Sequence, residues 1–273
     1  MNISILTIVR NRKTAILNLI AGLCNGIKLP GELIIVHMNE EIYGLADSLF
    51  PIKEYKFSSE EPIPLASARN FAASKAVYDQ MIFLDADCIP STNFVQVYEN
   101  SFSEQDSLLS GRIEYLSRSA MDRPDLLDRM HEVSTIDPIR GNLDQYPYHL
   151  FWSINFGCSK NVYSKIGGFD ENFVGYGAED TDFAFSAKAQ GINHHTIDAT
   201  AYHQYHPSYD PPLNHLNDVV KNASLFNVKW GMWPMQGWLD KFCAMGFTEF
   251  ENGKLQILKY PTGKQIEDAL KHT

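Results

Sequence analysis

No two cysteines of this 273-residue chain fall in a CxxC spacing: the four present, Cys24, Cys88, Cys158 and Cys243, are scattered. That excludes the usual zinc-finger ligand set and gives no disulfide framework, so the reducing cytoplasm is the expected compartment. Basic residues are scarce as well, 23 Lys and Arg against 33 Asp and Glu, for a formal net charge of −10. Nucleic acid and anionic membrane surfaces both call for a basic footprint, so neither is an expected partner. Long apolar runs are missing too. The most apolar stretch, AILNLIAGLC, is too short for a transmembrane segment, and MNISILTIVR lacks the charged start and long apolar core of a secretory signal. No repeat, low-complexity tract or Pro/Ser-rich linker marks a boundary.

What the chain does have is 44% hydrophobic content, enough for a sizeable core, in alternating strand-like and helix-like patches. Ile3 to Val9 is a β-branched run; after a polar Arg-Asn-Arg turn, Ile16, Leu17, Leu19, Ile20 and Leu23 recur at helical spacing, with Gly26 available as a stop. GELIIVHMN reads as a second buried strand, EYKFSS as a weak third, LASARNFAASKAVYDQ as a helix and MIFLDAD as a fourth strand. This alternation implies an α/β fold with a mostly parallel central sheet flanked by helices. Further on, SLLSGRIEYL, HLFWSINFGCS and HHTIDATAYH read as strands and RPDLLDRMHEV, SKNVYSKIGG and AEDTDFAFSAKAQG as helices. Beyond His206 come two helices, NHLNDVVKNASLF and MQGWLDKFCAM, and a hairpin turning at Asn252-Gly253. The expected organisation is one domain over residues 1–206, in two halves meeting near residue 105, with a small helical and hairpin extension over 207–273.

Ligands of such sheets bind beyond the carboxyl ends of the strands. Arg10-Asn11-Arg12, Asn39-Glu40-Glu41 and Asp85-Ala86-Asp87 occupy those ends. In FLDADC, alternate side chains of an extended segment share a face, so Asp85 and Asp87 can reach one ligand; an acidic strand end that merely keeps a loop soluble is the plainer reading. A second concentration, GFDENFVGYGAEDTD at 168–182, puts five carboxylates and three glycines into fifteen residues. Helix-start chemistry explains one or two of those acids. Asp182 suits that role, and Asp170 and Glu171 suit turns and caps.

In chain order, ASARNFAASKA, FLDADC, KIGGFDENF, GAEDTDFAFSAKAQG and YHQYH resemble the family 2 glycosyltransferases with the GT-A fold. The glycine and acid run is similar to that of the animal β-1,4-galactosyltransferases and the polypeptide N-acetylgalactosaminyltransferases. The likeness covers roughly Ile3 to His206. It implies a nucleotide-sugar donor, commonly a UDP-sugar, a carbohydrate or glycoconjugate acceptor, and Mn²⁺ or Mg²⁺ at the donor diphosphate. By that resemblance Asp87 is a direct metal ligand, Asp85 lies near the ribose or a metal-bound water, and His203 adds a further ligand. His206 in that role, or a structural histidine, are the alternatives. An acidic protein binding a diphosphate needs such a cation together with arginines; Arg10, Arg12 and Arg69 are the candidates, and Arg69-Asn70 matches the family's ARN segment. Where most family members carry an aspartate that reads the uracil or ribose, VHMNEE offers Asn39, Glu40 and Glu41 instead. Asp180 is implied as the general base of an inverting transfer, Glu179 as a partner of acceptor or donor hydroxyls, and Tyr176 as an aromatic ring against the acceptor. Gly168, Gly175 and Gly177 would let backbone approach the sugars closely.

Two other classes compete. A nucleotidylyltransferase also uses an α/β fold, paired acids and a metal, but usually a Gly-rich basic loop near its start, and VRNRKTA has no glycine. A sugar-binding module could keep the fold without turnover. Trp230, Trp233 and Trp238, within KWGMWPMQGWLDKF, either fill a small core between terminal helices or, Trp233 first, line the acceptor site. His194 and His195 are expected to be structural.

Overall fold

The computed structural model describes residues 2–104 and 106–271. The first half runs β1 (Ile3–Val9), α1 (Lys13–Cys24), β2 (Glu32–Met38), β3 (Ile52–Phe57), α2 (Leu65–Lys75), β4 (Gln80–Leu84), β5 (Cys88–Pro90) and α3 (Phe94–Glu104). The second runs β6 (Leu108–Leu116), α4 (Arg118–Met121), α5 (Leu126–Val133), β7 (Ser134–Ile136), β8 (Asn155–Ser159), α6 (Lys160–Ile166), α7 (Glu179–Ala189) and β9 (His194–His203). Then follow β10 (Ser208–Tyr209), α8 (Leu216–Trp230), α9 (Gln236–Ala244), β11 (Thr248–Glu251), β12 (Lys254–Ile257), α10 (Gly263–Asp268) and β13 (Leu270–Lys271).

One sheet holds β1 to β9 in the order β3-β2-β1-β4-β8-β6-β9-β5, with β7 on β6. Its faces explain the apolar runs. Ile3, Ile5 and Val9, Leu33 and Ile35, and Ile82 and Leu84 pack against α1 and α3. Their neighbours Leu6, Ile8, Ile34, Val36, Met81 and Phe83 pack against α2, α6 and α7. Strands covered on both faces show no polar alternation. The parallel pairing expected from the alternation holds for β3-β2-β1-β4 and for β6 with β9. By contrast β8 runs antiparallel to both β4 and β6, and β5 and β7 pair antiparallel as well. β8 follows β7, which is likewise antiparallel to β6, across residues 137–154. The first half of HLFWSINFGCS is accordingly not strand.

Across β6 and β9 the register steps from Gly111↔Ile197 to Ile113↔Ala201. Asn155 serves the displaced backbone: its Nδ2 donates to the carbonyls of Arg112 (3.1 Å) and Ala199 (2.9 Å), and its Oδ1 accepts from the Tyr98 hydroxyl (2.8 Å). The C-terminal elements gather around a further apolar cluster that includes Val219, Leu239, Phe242 and Phe247. Among the described residues no helix is long and apolar enough to cross a membrane.

Candidate active site

The carboxyl ends of β1, β2 and β4 share one edge of the sheet because those strands are parallel. The acidic turn after β4 is tied to the end of β9: Cys88 pairs with His203, and the Gln204 N–H donates to the Asp87 carbonyl at 2.7 Å. Asp87 therefore meets Arg12 Nη1 at 3.1 Å, His206 Nε2 at 3.3 Å and His203 Nε2 at 3.5 Å. Burial pushes the Asp87 carboxyl up, but His203, His206 and Arg12 outweigh it and hold the group well below the usual range. Burial lowers the His203 imidazole despite the opposing pull of Asp87.

One ligand atom each from Asp87, His203 and His206 lies within 4.8 Å of the others. His206 Nδ1 sits 2.9 Å from the Pro207 carbonyl, which can only accept, so Nδ1 carries the hydrogen and Nε2, the nitrogen left to offer a lone pair, faces Asp87. Two acceptors facing each other require a proton or a cation between them. One carboxylate oxygen and two imidazole nitrogens fit a divalent first-row ion. Both histidines thus join Asp87, where the sequence sets them against each other as alternatives. Asp85 stands outside this group, with its Oδ1 3.7 Å from Arg69 Nη2. Burial raises Asp85, Arg69 pulls it back, Asp87 and Glu179 raise it again, and the outcome is about 6.

The second acidic motif reaches the same edge through Arg69, which is 5% exposed. Its Nη1 donates to Glu179 Oε1 at 3.0 Å while Nη2 faces Asp85, and Phe169 lies 5.3 Å beneath the guanidinium. Glu179 is buried, and its Oε2 has no hydrogen-bond partner among the described residues. Asp180 Oδ1 accepts from the Thr181 N–H at 2.7 Å. Burial and then Glu179 push Asp180 up to about 7 against the pull of Thr181 and Arg69, a value suited to proton abstraction near neutrality. Burial, Glu179, Asp180, Asp85 and Asp87 all raise the Tyr176 phenol, which therefore stays a hydrogen-bond donor beside the acids.

Other expected site residues are committed to protein partners. Asn70 Oδ1 accepts from the Phe169 N–H and the Tyr163 hydroxyl, and its Nδ2 donates to the Phe169 carbonyl and Glu171. Asn39 bonds the Glu61 carbonyl and the Ser59 N–H, and Arg10 donates to the Pro62 carbonyl. Asp182 is 1% exposed and accepts from Lys229 (2.9 Å) and the Trp230 indole (2.7 Å), so it staples α7 to α8 rather than only easing a helix start. The glycines also serve the protein. A Cβ on Gly175 (φ 81°) would lie 2.6 Å from the Asp218 carboxylate, and one on Gly177 (φ 96°) 2.8 Å from Met235 Sδ. Gly168 makes room for Asn70 in the same way. Trp233 meets Phe250 edge-on at 5.1 Å, and Trp238 stacks 5.8 Å from Tyr176. His194 is buried with Nε2 bonded to Ser110, while its Nδ1 has no hydrogen-bond partner among the described residues. Tyr115, 5.4 Å from His203, is a neighbour of the site that no motif marks.

The match to a family pattern defines the protein as a glycosyltransferase, and its fold neighbours are GT-A enzymes. The chain belongs to glycosyl transferase family 2, whose pattern matches residues 4–167. A pattern described as the N-terminal domain of galactosyltransferase matches 142–208. Over 232 residues the chain is 25% identical to the chondroitin synthase of Escherichia coli, covering 72% of this chain and 34% of that protein. It is 28% identical over 189 residues to the hyaluronan synthase of Pasteurella multocida, covering 59% and 19%. It thus spans about a third or less of the length of these relatives. Among solved structures, GalNAc-T7 with UDP, GalNAc and Mn²⁺ superposes with a TM-score of 0.58 at 12% identity, over 89% of this chain and 57% of that one. The S. aureus TarS 1–349 complex with UDP-GlcNAc does so at 0.55 and 12%, over 96% and 98%. At such identities these two structures speak for the fold alone.

Proposed function

We propose that this glycosyltransferase moves a sugar from a nucleotide-sugar, a UDP-sugar in the first instance, to an acceptor hydroxyl with inversion and with the help of a divalent ion, Mn²⁺ or Mg²⁺. The observation that carries the reading is Arg69: one buried guanidinium bridges Asp85 and Glu179, bringing a donor-type acidic turn and an acceptor-type acid run to one place. The two fold neighbours hold UDP and UDP-GlcNAc, which makes UDP-sugars the first donors to try. Asp87, His203 and His206 would hold the ion, which when bound offsets the charge of the diphosphate as it leaves. Arg12, partly exposed beside Asp87, adds positive charge for the phosphates. Asp180 takes the acceptor proton as the acceptor oxygen bonds to the anomeric carbon and the bond from that carbon to the diphosphate oxygen breaks. Glu179 Oε2 accepts a hydrogen bond from a sugar hydroxyl, and Arg69 compensates the buried Glu179 and the partly exposed Asp85 together. Residues 1–206 form the catalytic unit, with the donor half ending near residue 105.

The test is incubation with a panel of UDP-sugars and Mn²⁺ while UDP and pyrophosphate are measured. UDP release that stops in EDTA is the expected result. In a parallel incubation with UTP and sugar 1-phosphates, pyrophosphate release would mark a nucleotidylyltransferase, and release of neither product a sugar-binding module.

A further inference from the structure

Residues beyond 208 lie outside both matched family stretches, yet they shape the acid loop. Asn222, fully buried on α8, directs its Nδ2 at the carbonyls of Val174 (3.0 Å), Gly177 (2.9 Å) and Tyr176 (3.4 Å). Asp218 and Met235 occupy the space that the missing side chains of Gly175 and Gly177 leave. The His215 ring stacks on Tyr176 at 4.6 Å and 23°, and the Trp238 ring lies 5.8 Å from Tyr176 at the same angle. His215 Nδ1 is 3.4 Å from Asp218 Oδ2, and unlike Asn222 both side chains keep some exposure, 21% and 34%. Packing alone does not call for an imidazole paired with a partly exposed carboxylate on a ring that precedes Glu179 and Asp180 by three and four residues.

We propose that the start of α8 supplies part of the acceptor subsite, in which Tyr176, His215 and Asp218 bind hydroxyls of a pyranose beside Asp180. The proposal rests on the transfer reading above. Its chemistry is that of sugar recognition: a phenol that donates, a carboxylate that accepts and an imidazole that can do either match vicinal hydroxyls, which do both. The stack on Tyr176 fixes the phenol, so little order has to be gained on binding. The carboxylates disfavour an anionic group at this point, which selects a neutral ring face.

The test uses His215→Ala and the nearly isosteric Asp218→Asn. Methyl glycosides of glucose, galactose and N-acetylgalactosamine are titrated by saturation-transfer NMR in the presence of UDP and Mg²⁺, and UDP affinity is measured by calorimetry with Mn²⁺. The wild type should bind at least one glycoside, both variants should weaken it at least about tenfold, and the UDP Kd should stay within about twofold, a split expected when only the acceptor side is touched. Unchanged glycoside affinity in Asp218→Asn, or a wild type that binds UDP but no glycoside, overturns the subsite. A wild type that fails to bind UDP overturns the transfer reading itself, and the two failures are thereby distinct.

Discussion

Replacing Asp180 by Asn keeps the side chain's size and an oxygen for the Thr181 N–H, 2.7 Å away in the wild type, but removes the proton acceptor. A positioned general base contributes about two to four orders of magnitude, so kcat is expected to fall by that factor while UDP affinity holds. The pH profile gives a sharper mark. Burial and Glu179 raise Asp180 to about 7, and only its ionised form can take a proton. Wild-type kcat/KM should therefore climb about tenfold per pH unit below that value and level off above it; the variant should lack the limb. Stability moves the other way. A carboxyl raised from 3.8 to about 7 holds its proton more tightly folded than unfolded, so wild-type stability falls as pH rises from about 4 to about 7 and stays low above. At 1.36 kcal/mol per unit the full difference is roughly 4 kcal/mol; solvent screening at this partly exposed group reduces it to on the order of 1–2. Asp180→Asn should thus melt higher than wild type at about pH 8 and together with it at about pH 4. UDP-release assays across this range and paired thermal melts measure both effects. If Asp180→Asn keeps wild-type kcat while Glu179→Gln loses it, the two roles must be exchanged. A retained pH limb in the Asn variant would assign the titration to another group.

Asp87→Ala should abolish Mn²⁺-dependent UDP binding in calorimetry, since it removes the carboxylate that both histidines face; full turnover in EDTA would defeat the metal reading. Asp182→Ala leaves the Trp230 indole N–H and Lys229 without their shared acceptor, and should cost about 1–3 kcal/mol of stability without changing UDP affinity. Trp233→Ala removes a half-buried ring from Phe250 and the C-terminal cluster. A loss of about 2–3 kcal/mol, below the 3–5 of a fully buried ring, is expected; an unchanged melt with a raised acceptor KM would move Trp233 into the acceptor site.

The parallel strands were legible because burial on both faces writes a mostly apolar run into β1, β2 and β4. Asp87 and the Glu179-Asp180 pair were legible as motifs of residue type and order. The antiparallel course of β8 was not, since direction in a sheet depends on what connects the strands rather than on what they contain. Nor was the placement of both His203 and His206 beside Asp87: their spacing of three brings neither there until β9 pairs with β5. Asn39 and Asn70 show the converse. Each lies where a ligand contact was expected, but an amide has two polar ends and nearby backbone can occupy both, as it largely does here. Sequence order could not reveal that Gly175 and Gly177 yield space to α8 and the start of α9, because the groups filling that space come from a stretch with no matching motif.

The irregular pairing between β6 and β9 has a consequence for how this chain can change over time. Moving from Gly111↔Ile197 to Ile113↔Ala201, β9 spends two residues more than β6. Side chains in a strand alternate with period two, so an even surplus returns every later residue to its own face. His203 then turns towards Asp87, while Tyr202 enters the apolar cluster with Ala120, Leu126 and Met130. A single inserted or deleted residue between Ile197 and Ala201 would exchange the two, burying an imidazole among hydrocarbon and swinging a tyrosine into the charged pocket. Length variation there is tolerable only in pairs, which makes the parity of a short, ligand-free stretch as binding a constraint as the identity of the histidine it delivers.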